Sequence, residues 1–69
     1  MKLWIARDKN GNLWFHKEKP HINKYDNAFW TSYGECYEVE QDFLTEVTFE
    51  NSPMEVQLIV KQAGSSREE

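Results

Sequence analysis

The chain predicts an all-β fold: a small twisted antiparallel sheet of five or six strands curling into an open roll or small barrel, with at most one short helical turn near residues 42–45. Three observations carry that prediction. Apolar and polar residues alternate over residues 36–40, 46–49 and 54–61, the two-residue period of a strand with one wet face. Turn-forming residues punctuate the chain at Asn10-Gly11, at Tyr33-Gly34 and at residues 50–53, ENSP. Ten of the 69 residues are aromatic. Each brings roughly 150–250 Å² of area to bury, which is how a short chain builds a core without staples.

Residues 2–8 and 12–18 make a hairpin. A two-residue turn at Asn10-Gly11 would pair Arg7 with Trp14 and Ile5 with His16. A type I turn with Gly11 as a left-handed bulge residue would pair Ile5 with Phe15, Ala6 with Trp14 and Arg7 with Leu13. The bulge register sorts the side chains better. It puts Leu3, Ile5, Leu13 and Phe15 on one face, and Trp4, Ala6, Trp14 and His16 on the other. Both arms therefore carry apolar residues on both faces, and something must cover the second one.

Pro20 ends the second strand, because it has no N–H for a ladder. Residues 20–27 read as a loop, 28–32 as a third strand, and Tyr33-Gly34 as a turn. In 36–40, Tyr37 and Val39 point in and Glu38 and Glu40 out. Asp42 can cap a short turn through Phe43, Leu44 and Thr45. Residues 46–49 alternate with Val47 and Phe49 in. Residues 54–61 form the last strand, with Met54, Val56, Leu58 and Val60 on the core side.

At this length the chain makes one domain, residues 1–62, followed by a polar tail at 63–69 expected to be disordered. A domain this small has a marginal core, since it buries only about 60% of its unfolded surface. Cys36 is the single cysteine, so no intrachain disulfide forms, and a reducing, cytoplasmic location is expected. No signal-peptide pattern is present, and no apolar run approaches the roughly 20 residues of a membrane span.

The net charge of −4 conceals a split. Residues 1–25 hold six basic side chains against Asp8 and Glu18. Residues 26–55 hold eight acidic ones and no Lys or Arg. Neighbouring strands that pair side by side account for this arrangement. An acidic surface aimed at a basic partner is the functional alternative.

Two stretches, LWIARDKNGNLWFHKEKP and EVTFENSPMEVQLIV, resemble a group of short uncharacterised proteins of gut bacteria and their mobile elements. In those, a KLWIARDKDG start precedes an aromatic strand, and an LFPEVTFENSP stretch leads into a final strand. The resemblance covers residues 2–20 and roughly 43–60, about half the chain. Phe43-Leu44-Thr45 stands where that pattern has Leu-Phe-Pro, which leaves the turn before Glu46 less constrained. The resemblance implies a free-standing domain and no activity.

Chemistry finds little support. His16 and His21 form one pair with a proline between them, unlike the two pairs of a closed zinc site. Both read as exposed, so no metal and no cofactor are expected. Cys36 shares a strand face with Glu38 and Glu40, whose charge disfavours a thiolate. The same two glutamates lie about 7 Å apart on that face, but acid–base work needs a pocket to set them apart. No glycine-rich phosphate cradle exists. No catalytic residue is assigned.

What remains is a small non-enzymatic protein-interaction module. Trp4, Trp14 and His16 make an aromatic stripe through which it self-associates as a homodimer, with Glu38 and Glu40 as further contact residues. In a variant of that reading the acidic segment 35–55 makes it an inhibitor or decoy acting on a basic partner. The alternative from another class is a single-stranded nucleic-acid-binding small barrel, with Trp4, Trp14 and His16 beside Lys2 and Lys17. A sequence pI of about 5.1 opposes it.

Overall fold

A computed structural model describes residues 2–59. Its described residues contain six strands and no helix: β1 (Lys2–Arg7), β2 (Leu13–His16), β3 (His21–Ile22), β4 (Trp30–Thr31), β5 (Cys36–Val39) and β6 (Met54–Gln57). Four of them make one antiparallel sheet in the order β5-β2-β1-β6, and β3 and β4 make a separate two-stranded ribbon. The fold is all-β, as the alternation predicts. Of the open roll or small barrel expected, the sheet is not a closed barrel: among the described residues β5 and β6 end it without pairing to each other. The tail at 63–69, and Val60, lie outside the described residues.

The hairpin adopts the bulge register. Ile5 lies opposite Phe15, Ala6 opposite Trp14 and Arg7 opposite Leu13. Gly11 donates to the Asp8 carbonyl at 2.9 Å and carries φ +100°, a left-handed conformation open to glycine. The Asn10 side chain accepts from the Asn12 N–H at 3.0 Å and fixes the turn.

The first face holds the core. Ile5 and Leu13 are fully buried, Val47 nearly so, and Phe15, Val39, Leu44 and Val56 pack around them. Fully burying a residue the size of Ile or Leu contributes about 1.5–3 kcal/mol. The lid over this core is residues 41–52, which form turns rather than the strand expected at 46–49. Val47 does point into the core, whereas Phe49 is half-buried and meets Trp30 instead. No strand forms because β5 and β6 already occupy both free sides of the hairpin.

Arg7 organises the lid in place of the expected Asp42 cap. Its guanidinium donates to the backbone carbonyls of Val47 (2.6 Å), Gly11 (2.7 Å), Gln41 (2.9 Å), Phe43 (3.1 Å) and Leu44 (3.2 Å). A lid of irregular backbone needs partners for its carbonyls, and one planar fork of donors meets four of them together with that of Gly11 in the hairpin turn. Leu44 sits at φ +50° within this turn. The Arg7 N–H donates to Ser52 Oγ, which donates to the Thr48 carbonyl. The Ser52-Pro53 peptide bond is cis.

The last strand is shorter than expected and stops at Gln57. Val56 packs on the core, but Met54 and Leu58 are more than a third exposed, because the lid does not extend over them. Tyr37, expected inside, is half exposed for the same reason.

The second face is covered by the chain itself. Residues 20–35, read as a loop and one strand, fold back as the β3–β4 ribbon, with His21 opposite Thr31 and Ile22 opposite Trp30. The Lys9 N–H donates to the Ala28 carbonyl at 2.9 Å and the Lys17 N–H to the Glu35 carbonyl at 3.0 Å. Phe49 of the lid meets Trp30 of the ribbon, with ring centroids 6.0 Å apart, so the two covers touch at one end of the hairpin.

Candidate functional site

Between β2 and the ribbon lies a cleft of about 240 Å³. Trp14, Phe29 and Trp30 supply its aromatic walls, and Asp8, His16 and Ser32 its main polar groups. Strand alternation places Asp8, Trp14 and His16 here, since all three fall on the second face. The ribbon brings Trp30 and Ser32 to them.

Asp8 is 6% exposed, and its Oδ1 accepts from the Trp30 N–H at 2.9 Å. Burial raises its carboxyl above the ordinary value, against the opposing pull of hydrogen bonds from the Trp30 backbone and the Trp14 indole. His16 is 2% exposed, with Nδ1 2.9 Å from Ser32 Oγ. Burial holds the imidazole below its ordinary value, so it is neutral at pH 7. The buried His16 Nε2 and Trp30 Nε1 have no hydrogen-bond partner among the described residues.

The aromatic stripe expected from the sequence is thus not a free surface. Ala6 and His16 are buried, and Trp4 and Trp14 are half-buried. Trp14 lines the cleft, and the Lys19 ammonium lies 5.4 Å from the Trp4 ring centre. His16, read as an exposed strand histidine, is interior because the ribbon lies over it. His21 stays outside and stacks on Tyr33 at 5.4 Å. The two histidines do not come together. Among the described residues no group of three or more His, Cys, Asp or Glu could hold a metal ion. Cys36 is exposed, lies opposite His16 across the β2–β5 ladder and borders the cleft.

Glu38 and Glu40 belong to a different surface. With Phe15, Val39 and Phe43 they line an open groove of about 470 Å³ beside β5. Among the described residues β5 pairs with β2 alone, so its outer side is an unpaired strand edge. Neither glutamate side chain has an ion-pair or hydrogen-bond partner there. Two of the six basic side chains of residues 1–25 pair with acidic ones elsewhere: Lys17 with Glu35 at 3.1 Å and Lys2 with Glu55, on the neighbouring strand, at 3.5 Å. Glu35 also accepts from the Tyr37 hydroxyl at 2.6 Å, which with Lys17 holds its carboxyl below the ordinary value.

Sequence reasoning missed Asp8, Ser32 and Trp30 as cleft residues. A carboxylate on the same strand face as two tryptophans is the signal that points to Asp8, since a charge among apolar neighbours needs a donor. No protein-family model matches the chain, and no curated protein or solved structure is significantly similar to it.

Proposed function

We propose that this protein is a small non-enzymatic protein-interaction module that takes an extended basic segment of a partner protein along β5. One observation carries this reading: an unpaired strand edge runs beside an apolar groove whose rim bears two unneutralised glutamates. An added strand would gain main-chain hydrogen bonds from the edge. Its apolar side chains would enter the groove at Phe15, Val39 and Phe43, and its Lys or Arg would meet Glu38 and Glu40. A second copy of the chain fits this edge poorly, because like charges would face each other. The reading keeps the contact role of Glu38 and Glu40 and moves the principal surface away from Trp4 and Trp14, which are partly covered from within the chain. That the sequence holds a single cysteine, Cys36, is what supports a cytoplasmic setting.

Panning the full chain against a library of random extended peptides tests it. The expected winners alternate apolar with basic residues, shift the amide resonances of β5, and lose binding to a Glu38→Lys, Glu40→Lys double variant. Enrichment that survives this double variant would overturn the reading. So would concentration-dependent dimerisation abolished by Trp4→Ser with Trp14→Ser. Binding to single-stranded nucleic acid that weakens steeply with salt would favour the other class.

A further inference from the structure

We infer, resting on the role proposed for β5, that the partner segment adds to this edge antiparallel, with one Lys or Arg directly opposite Glu38 and an apolar residue on either side of it. This fixes the direction of the added strand, its register and the main-chain groups it uses.

The hydrogen-bonding phase of the sheet sets that register. In an antiparallel ladder alternate residues of a strand turn their N–H and C=O to one neighbour, and those between turn them to the other. The Asp8 N–H donates to the Asn12 carbonyl at 2.8 Å. Two and four residues on, Trp14 and His16 therefore bond to β1, where they face Ala6 and Trp4. Leu13 and Phe15 are left to bond to β5. The far end of β2 reports the same phase, since the Lys17 N–H donates to the Glu35 carbonyl at 3.0 Å. Within β5, Tyr37 and Val39 thus turn their main-chain groups to Phe15 and Leu13, and Cys36 and Glu38 turn theirs to the open edge. Among the described residues nothing pairs with them there. Glu40 does not extend the series, because its carbonyl accepts from the Phe43 N–H at 3.1 Å.

Side chains follow from this phase. Directly opposed residues of an antiparallel pair share a face, with Cβ atoms about 4.5–5.5 Å apart. A partner residue that exchanges both main-chain bonds with Glu38 sets its side chain beside a carboxylate that has no ion-pair partner among the described residues. Lys or Arg is the residue that such a place takes. The residues before and after it fall on the core face, opposite Val39 and Tyr37. There Phe15, Val39 and Phe43 line the groove and the Tyr37 ring is half exposed, so apolar side chains fit both positions. The direction follows from the sheet itself: every pair in it is antiparallel, and such pairs are the more stable per residue.

The test uses a synthetic peptide with the core Thr-Val-Lys-Val-Thr, titrated into the isotope-labelled full chain and followed through the β5 amide resonances. Methylation of the Lys backbone nitrogen should weaken binding at least about tenfold, because it removes the bond to the Glu38 carbonyl and crowds the edge. Methylation of the second Thr, opposite Cys36, should act likewise. Methylation of either Val, whose N–H points away from the domain, should change little. Glu38→Lys should weaken the Lys peptide and favour one with Glu in its place. Loss of binding on methylation of the second Val, with the Lys nitrogen tolerant, would mean a parallel or shifted strand. That result overturns the inference and leaves the role of β5 standing. Absence of binding by any alternating basic peptide at millimolar concentration would overturn both.

Discussion

Arg7 and Asp8 are adjacent in the chain, face opposite sides of the sheet, and each secures the cover on its own side. Arg7 donates to five carbonyls, four of them in the lid over the Ile5–Leu13 core. Asp8 accepts from the first backbone N–H of β4 on the other side. The hairpin is the centre of a three-layer arrangement, and one dipeptide fastens both outer layers.

Removing the guanidinium should therefore loosen the lid. Arg7→Lys keeps the charge but not the planar fork, and hydrogen bonds to charged groups contribute roughly 1.5–3 kcal/mol each. The variant is expected to lose on the order of 2 kcal/mol or more, read as a lower urea midpoint. Lys2→Met, which breaks an exposed pair, should stay within about 0.5 kcal/mol.

Asp8→Ala should act on the opposite cover. A buried N–H left unpaired costs about 1–3 kcal/mol. Amide exchange should accelerate first at Trp30 and at Lys9, whose N–H bonds the ribbon, before it does in β1 and β2. Uniform acceleration would mean that the ribbon and the sheet open as one unit.

Acidification should destabilise the fold through His16. Its folded value lies below the ordinary 6.5, so the unfolded chain binds the proton more readily. The stability it contributes is present above 6.5 and is lost as pH falls through that value towards the lower folded one. Asp8 has the opposite sign: its raised value favours the folded state at low pH and loses that effect as pH rises through it. The urea midpoint should fall between about pH 7.5 and about pH 5.5, and that fall should be absent in His16→Gln.

Gly11→Ala isolates backbone strain from crowding. A Cβ there meets no atom within 4 Å, but φ is +100°. The expected loss is about 1 kcal/mol, all of it conformational.

Ile5→Ala should cost about 2–5 kcal/mol, as a fully buried position does. Ile59→Ala, at a residue 80% exposed, should change the denaturant midpoint little.

The hairpin register was legible in the sequence because Asn10-Gly11 and the sorting of Ile5, Leu13 and Phe15 agree on one pairing. Within residues 46–49 the burial of Val47 was legible from alternation, which records burial, while the contact of Phe49 with Trp30 was not. Nor was their lack of a strand, because strand pairing depends on which edges remain free. The cleft was hidden for a related reason. Residues 20–27 carry no alternation, so nothing local says that His21 and Ile22 turn back as a ribbon over Trp14 and His16. Once that ribbon is in place, the histidine read as exposed is interior and Trp14 becomes one wall of a cleft.

Among the described residues the sheet stops at β5 and β6, which leaves two borders along which further strands can grow into fibres. Each border carries a glutamate, Glu38 on one and Glu55 on the other. At neutral pH the unpaired charge of Glu38 repels an approaching border of another molecule, as edge charges do in many soluble β proteins, whereas Glu55 is matched by Lys2. The acid that brings the chain towards its isoelectric point, near pH 5.1, also weakens the fold through His16. Fibrillar deposition of this protein therefore belongs to mildly acidic solutions near its isoelectric point, where colloidal repulsion and folding stability decline together.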